Sequence, residues 1–160
     1  MTNGWIAAKS LLAALMLVAL IGGCGSKKDD KWTRGRPPVY RAFGTVTYQG
    51  NPVADAVVTF QPTSAEGGKG GSALTDSRGY FEARTFESGD GLTEGTHRVA
   101  ISKVQLVDAQ GNIVTEIREP IGLREKNLVP KKYSDFKKSE IEVTINADGA
   151  NDLGEIVLKD

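Results

Sequence analysis

Few side chains in this 160-residue chain have the chemistry for catalysis or metal binding, because it contains one cysteine, Cys24, and one histidine, His97. A single cysteine excludes an internal disulfide framework and the paired-cysteine pattern of zinc and redox sites. A single histidine excludes any metal motif that is built on two histidines. Each of the two residues therefore has to be interpreted from its own surroundings in the sequence.

Cys24 follows a long apolar stretch near the start of the chain. Lys9 precedes an uninterrupted apolar run from Leu11 to Ile21, and two small residues, Gly22 and Gly23, separate that run from the cysteine. As a helix, the run would span roughly 16 Å, which is about half of the hydrocarbon core of a bilayer. This length is too short for a transmembrane helix and is typical of the apolar region of a signal peptide.

The segment Ile21-Gly22-Gly23-Cys24 resembles a bacterial lipobox, in which an aliphatic residue and two small residues precede a cysteine. The resemblance implies that diacylglycerol acylates the sulfur of Cys24, that the leader 1–23 is removed, and that the new amine is acylated. Acyl chains contribute about 0.8 kcal/mol per buried methylene, so two or three of them anchor a protein stably. By analogy with lipoprotein sorting, Gly25 in place of Asp favours an outer membrane. The alternative is an unmodified cysteine at the cleavage site of a secreted protein.

His97 lies in an alternating segment, where Val99 and Ile101 share its face. A catalytic triad would need a nucleophile and a carboxylate beside the imidazole. Ser102 is too far along the strand to meet it, and the chain contains no GxSxG nucleophile elbow. We therefore predict a structural, partly buried histidine and no catalytic residue, which disfavours a hydrolase.

Two glycine-rich loops are candidates for binding. Glu87, Asp90 and Glu94 have the oxygen ligands that Ca²⁺ prefers, but the EF-hand spacing is absent, and a solvated acidic loop is the favoured interpretation. The loop Pro62–Gly71 lacks the GKS or GKT ending of a phosphate-binding loop, and no helical pattern follows it. We predict no metal and no cofactor at either loop. Pro62–Gly71 and Glu87–Gly95 are instead candidates for contact with a partner.

Charge and composition indicate how the chain is divided into segments. It carries 20 basic and 20 acidic side chains, and this balance argues against an electrostatic nucleic-acid binder. The segment Gly25–Pro38 is polar, mixes both charges and ends in two prolines, which is typical of a linker. We predict a signal peptide at 1–23, a lipidated cysteine and tether at 24–38, and one folded domain at 39–160.

The predicted domain has the pattern of a β protein. Short runs rich in Val, Ile, Thr, Tyr and Phe alternate with Gly, Asp and Asn, and no stretch shows a convincing helical period. The predicted strands are Arg41–Gln49, Asp55–Gln61, Ser72–Thr75, Tyr80–Thr85, Thr96–Val107, Ile113–Ile117, Glu140–Ile145 and Leu153–Leu158. Seven or eight such strands with dense turns predict an all-β fold, a single antiparallel β-sandwich with one core.

The stretch from Gly44 to Phe60 resembles the opening of a carboxypeptidase regulatory-like domain, which is a transthyretin-like β-sandwich. The resemblance continues through 75–81, 95–103 and 128–133 and covers roughly 39–160. It implies that Ala56, Val58 and Phe60 lie in or against the core and that Phe81 points inward after a turn. Modules of this family usually lack catalysis, so the resemblance implies an accessory, adhesive or stalk-like role.

The sequence therefore predicts a non-enzymatic, lipid-anchored cell-envelope protein that presents a β-sandwich to a partner through its loops or an edge strand. Its predicted contacts are the membrane, through acyl chains on Cys24, and an unidentified envelope protein or glycan. The alternative is a carbohydrate-binding module on the same scaffold, which would need an exposed aromatic platform. Tyr40, Tyr48, Tyr80 and Tyr133 are its candidates, although packing in or beside the core is favoured for most of them.

Overall fold

The structure is a computed structural model that describes residue 31 and residues 33–64, 67–115 and 122–160. The predicted signal peptide, Cys24 and the tether up to residue 30 lie outside these residues. The chain divides into two units, Met1–Arg36 and Pro37–Asp160. In the described part of the first unit, the backbone N–H of Arg36 donates to the carbonyl of Thr33 at 3.2 Å. Among the described residues, no helix has the length and apolar character to cross a membrane.

In the described part of the second unit, every regular element except one 3₁₀ turn is a strand, so the all-β prediction is confirmed. Its strands are β1 (Ala42–Tyr48), β2 (Asn51–Pro52), β3 (Val57–Pro62), β4 (Gly71–Leu74), β5 (Tyr80–Glu82), β6 (Gly95–Ser102), β7 (Val104–Val107), β8 (Arg124–Asn127), β9 (Ile141–Ile145) and β10 (Asn151–Leu158). A 3₁₀ turn at Lys131–Ser134 precedes β9. The described strands outnumber the predicted ones partly because Thr96–Val107 breaks at Lys103 into β6 and β7, which join different sheets.

Two four-stranded sheets and one hairpin form the architecture. In the first sheet, β1 lies between β10 on one side and both β2 and β5 on the other. The second sheet has the order β4-β3-β6-β9 and is antiparallel throughout. The pairing of β1 with β10 is parallel, from Ala42 opposite Asn151 to Tyr48 opposite Leu158, so the sandwich is not antiparallel at every pair.

The described part of the predicted strand Ile113–Ile117, residues 113–115, does not form the expected hairpin ladder. A single bridge joins Ile113 to Val107, whereas β7 pairs along its length with β8. The turn before it is formed as predicted, because the Asp108 carboxylate accepts the backbone N–H of Asn112 at 2.8 Å. Residues 116–121 lie outside the described part of the chain. β8 is missing from the predicted strands because its sequence, Arg-Glu-Lys-Asn, is exposed throughout and has no apolar alternation.

One hydrophobic core contains side chains from both four-stranded sheets. Alternate residues of a strand point to the same face, and β3 accordingly buries Val58 and Phe60 while Val57 is exposed. Ala56, Val58, Phe60 and Phe81 are all buried, as predicted. The rings of Phe60 and Phe81 meet across the two sheets with centroids 6.0 Å apart.

The predicted turn between β4 and β5 is present and delivers Phe81 to the core. The carboxylate of Asp76 accepts the backbone N–H groups of Arg78 at 2.8 Å and Tyr80 at 2.9 Å, and Gly79 N donates to the Asp76 carbonyl at 2.9 Å. Asp at the first position of a turn and Gly at its last explain why the chain reverses here. The turn thus fixes the register that points Phe81 inward.

Candidate functional site

The two loops predicted to contact a partner lie against each other. The backbone N–H of Lys69 donates to Thr93 Oγ1 at 3.2 Å, and Thr93 Oγ1 lies 3.4 Å from the Lys69 carbonyl. Together with residues that precede β1, the loops line a shallow depression of about 200 Å³. Its lining consists of Pro37, Pro38, Tyr40, Gly67, Gly68, Thr93 and Glu94. The structure therefore brings the two candidate loops together at one surface, beside Tyr40.

Asp90 holds the loop Glu87–Gly95 in shape. Its carboxylate accepts the backbone N–H groups of Thr85 at 2.7 Å, Phe86 at 2.9 Å and Glu87 at 2.9 Å. A carboxylate that caps three backbone donors has a structural role, because those donors would otherwise lose their partners. Within the described ranges, no three His, Cys, Asp or Glu side chains are grouped so as to hold a metal ion.

His97 is more deeply buried than the predicted, partly buried histidine. The side chain is 0% exposed because β6 lies in the middle of its sheet, between β3 and β9. Its Nε2 is 2.8 Å from the carbonyl oxygen of Thr93, which assigns the ring proton to Nε2 as the donor. Among the described residues, Nδ1 has no hydrogen-bond partner. The imidazole therefore ties β6 to the preceding loop and does not face solvent.

Each of the four tyrosines proposed for an aromatic platform has contacts of its own within the domain. Tyr133 is buried, and its hydroxyl donates to the Lys159 carbonyl at 3.0 Å and accepts the Lys159 N–H at 2.8 Å. Tyr80 donates to Glu82, and Tyr48 donates to Asp160, while Tyr40 packs against the core. In the described part of the chain, the paired rings are Phe43 with Tyr80 and Phe60 with Phe81, so no two tyrosines stack.

Several exposed carboxyl groups are held in their charged form by neighbours. Hydrogen bonds from Arg41 and then Tyr80 lower the pKa of Glu82, and donation to Glu82 raises the pKa of Tyr80. A hydrogen bond from Tyr48 lowers the pKa of Asp160. Asn112, through its side chain and backbone N–H, lowers the pKa of Asp108. Glu82 lies on β5 and Asp108 at a turn, while Asp160 follows β10 and accepts a hydrogen bond from Tyr48 of β1.

The lowered pKa of Glu82 predicts an acid-dependent loss of stability. A carboxyl whose folded pKa lies below its ordinary value of 4.5 adds stability at higher pH and loses it as the pH falls through the folded value. We therefore expect the denaturant midpoint to fall on acidification, and Glu82→Gln to show a shallower fall than the native chain. Urea unfolding followed by circular dichroism across the acid range measures this. Glu125→Gln, on the exposed strand β8, is the control, and equal slopes for both variants would contradict the assignment.

Open grooves follow the edges of the sheets. A groove of about 710 Å³ lies beside β9 and is lined by Arg98, Phe136, Lys137, Glu140, Ile141 and Glu142. Two more, of about 500 Å³ and 470 Å³, adjoin β4 and share Ser72, Arg84 and Ser88. The linings of all three grooves combine charged and apolar side chains, and the two beside β4 add hydroxyl groups.

Three of the sheet edges are interrupted or covered. At β4, Ser72 exchanges both backbone hydrogen bonds with Arg84, each at 2.9 Å. At β10, Gly154 has a φ of 67° where the register with β1 shifts, and the Tyr133 hydroxyl closes the strand's end at Lys159. β2 and β5 are only two and three residues long. Short, bulged or covered edges are the usual protection of a sheet against unwanted pairing.

The edge at β9 is open. Thr63 N donates to the Thr96 carbonyl on the β3 side of β6, and Ser139 Oγ donates to the Val99 carbonyl on the β9 side. Because backbone groups alternate sides along a strand, Val99 and His97 form the hydrogen-bonded pairs with β9. Their partners in the register are Ile141 and Val143.

It follows that Glu142 and Thr144 direct their backbone N–H and C=O groups away from β6. Both side chains are exposed, and within the described residues no strand pairs with this side of β9. The sequence predicted the strand Glu140–Ile145 from its alternation, but no local pattern reveals that a strand is at an edge. This open edge is the surface that the sequence did not indicate.

No protein-family model and no curated relative matches the chain by sequence. Among solved structures, it is similar to a 9R-lipoxygenase from Cyanothece, with a TM-score of 0.35 and 15% identity over 94% of this chain and 23% of that one. It is also similar to a DUF3823 family protein from Parabacteroides merdae, with a TM-score of 0.34 and 16% identity over 76% of this chain and 45% of that one. The chain thus matches less than half the length of either protein.

Proposed function

We propose that this chain is a non-enzymatic, lipid-anchored protein of the cell envelope that presents its β-rich domain to a partner. The observation that carries the proposal is the place of Cys24, directly after an apolar run of signal-peptide length and two small residues. The resemblance of 39–160 to a carboxypeptidase regulatory-like domain supports a binding or structural role for the domain.

The use of the polar side chains in the domain supports a role without catalysis. Asp90 caps three backbone N–H groups, and His97 is buried with its Nε2 bonded to a backbone carbonyl. A general base must reach a substrate proton directly or through a water. The described groups best suited to proton transfer are thus engaged in holding loops and strands.

The proposed mechanism is presentation at a membrane surface. Acyl chains on Cys24 hold the protein, and the polar segment Gly25–Pro38, which has the composition of a linker, connects this anchor to the domain. Gly25 in place of Asp favours the outer membrane of a cell that has one. The exposed loops and the open strand edge are then the surfaces offered to a partner.

Cys24→Ser is expected to lose stable membrane attachment, because it removes the sulfur that would accept the lipid. We expect the membrane-bound fraction to fall about tenfold or more, with the variant either soluble or retaining its leader. Fractionation after an alkaline wash measures attachment, and intact-mass analysis of the amino terminus measures acylation.

Gly25→Ser is the matched control, since it changes the neighbouring residue and keeps the cysteine. Cys24→Ser protein that still partitions with washed membranes would show that the anchor lies elsewhere. An unmodified amino terminus on the native protein would refute lipidation directly.

A further inference from the structure

We infer that the β9 edge is a self-complementary interface, at which two copies of this chain pair in antiparallel fashion about Val143. The inference goes beyond the proposed function, because it depends on the strand edge and holds whether or not Cys24 carries lipid. An antiparallel pair of identical strands obeys two-fold symmetry, which is the commonest symmetry of protein dimers.

The contrast among the edges points to β9. A strand edge left open is a template for another strand, and the other described edges of the two four-stranded sheets are bridged, bulged or very short. On β9, Glu142 and Thr144 turn their backbone groups outward, and a half-buried apolar side chain, Val143, lies between them. Such an edge has both the hydrogen-bonding groups and the apolar surface that strand addition uses.

A register centred on Val143 satisfies these groups without a conflict of charge. Glu142 of one copy then lies opposite Thr144 of the other, and the two residues exchange their backbone N–H···O=C bonds in both directions. On the core-facing side, Ile141 lies opposite Ile145, and Val143 lies opposite Val143. On the outward face, Glu142, which forms an ion pair with Arg98 of its own copy, would lie beside the hydroxyl of Thr144 of the second copy.

The neighbouring symmetric registers are worse. Centring the pair on Glu142 would place this carboxylate directly opposite its own copy, and like charges directly opposite are destabilising. Centring it on Thr144 would require the backbone N–H of Asn146, which already donates to the Asn151 side chain at 2.8 Å. That register would also place Glu140 opposite Asp148. The charge pattern of β9 therefore selects the register about Val143.

Cysteine cross-linking of the full-length chain in its membranes tests the register. In the proposed dimer, the two Val143 residues form a non-hydrogen-bonded pair with Cα atoms about 4.5 Å apart, which is within the range of a disulfide. Oxidised Val143→Cys is expected to run as a dimer on a non-reducing gel. The native chain gives the background due to Cys24, and Val157→Cys, on the exposed part of β10, is the matched edge control. Dimer no more abundant than in these controls would overturn the inference.

Removing one backbone donor tests the interface without a new cysteine. Thr144→Pro deletes an N–H that the β6–β9 ladder does not use, and proline is tolerated on the solvent side of an edge strand. Sedimentation of the purified full-length protein is expected to show dimer for the native chain and about tenfold weaker association for the variant. Thr96→Ala, on the same face but one strand inward, should associate like the native chain. A monomeric native protein, or equal association of Thr144→Pro, would refute the interface.

Discussion

Gly91→Ala is expected to destabilise the domain by about 4 kcal/mol or more, at the upper end of single substitutions. A Cβ at this position would lie 1.9 Å from the carbonyl oxygen of Tyr40, and φ is +99°. The Tyr40 oxygen is a backbone atom and the backbone of residue 91 fixes the position of the Cβ, so no side-chain rotation relieves the overlap. The bridge that brings Leu92 beside Tyr40, with hydrogen bonds of 2.8 Å and 3.0 Å, would have to open.

Gly95→Ala separates steric overlap from backbone strain. Gly95 also has a positive φ, of +109°, but a Cβ there would meet no atom within 4 Å. Its expected cost is the conformational penalty alone, about 1–2 kcal/mol. Urea unfolding followed by circular dichroism measures both free energies. Equal destabilisation by the two variants would show that the approach of Gly91 to Tyr40 does not limit stability.

Phe81→Ala is expected to lower the free energy of unfolding by about 3–5 kcal/mol, the usual cost of emptying a large core position. The ring is 1% exposed and packs on Phe60 of the other sheet, with centroids 6.0 Å apart and planes at 45°. A Cβ on Gly44 would come within 3.1 Å of Phe81 Cζ, which shows how closely this ring covers β1. The same loss is expected for Phe60→Ala.

A double-mutant cycle tests whether the two rings join the sheets. Because each single variant already removes their contact, the double variant should cost less than the sum of the two by about 1 kcal/mol. Phe43→Ala is the control, since Phe43 is only half-buried and pairs with Tyr80 at 6.2 Å. Chemical denaturation gives the four free energies. This account would be contradicted if the free-energy losses of Phe60→Ala and Phe81→Ala were strictly additive in the double variant. It would also be contradicted if Phe43→Ala lowered the free energy of unfolding as much as Phe81→Ala does.

The strand pattern predicted the all-β fold and much of its core. Val58 and Phe60 stand at alternate positions of one predicted strand, and such spacing reports the buried face of a strand. Phe81 is likewise buried between the half-buried Tyr80 and Glu82. The turn at Asp76 was predictable for the same local reason, because Asp and Gly occupy the positions that the turn requires. Local sequence was therefore sufficient to predict these features, because each depends on the residues of a single strand or a single turn.

Long-range pairing was not predictable in this way. The parallel partnership of β1 with β10 joins distant segments, and no local pattern records which strands are neighbours. β8 was not predicted as a strand because its residues are all polar and exposed and show no alternation of apolar and polar positions. The order of the strands determines two further features. His97 is completely buried because β6 lies in the middle of its sheet, and β9 has an open side because it lies at the edge of the same sheet. The lipidation of Cys24 remains a prediction.

The pairing of β1 with β10 has a consequence for how the domain is made. The backbone N–H of Asn151 donates to the carbonyl of Arg41 at 2.7 Å, and these residues are 110 positions apart in the chain. While the ribosome is still adding the residues between them, β1 has no neighbour on that side, and Ile156 and Leu158 are missing from the core. Closing so long a loop makes folding slow. The nascent domain therefore stays incomplete until its final strand has emerged.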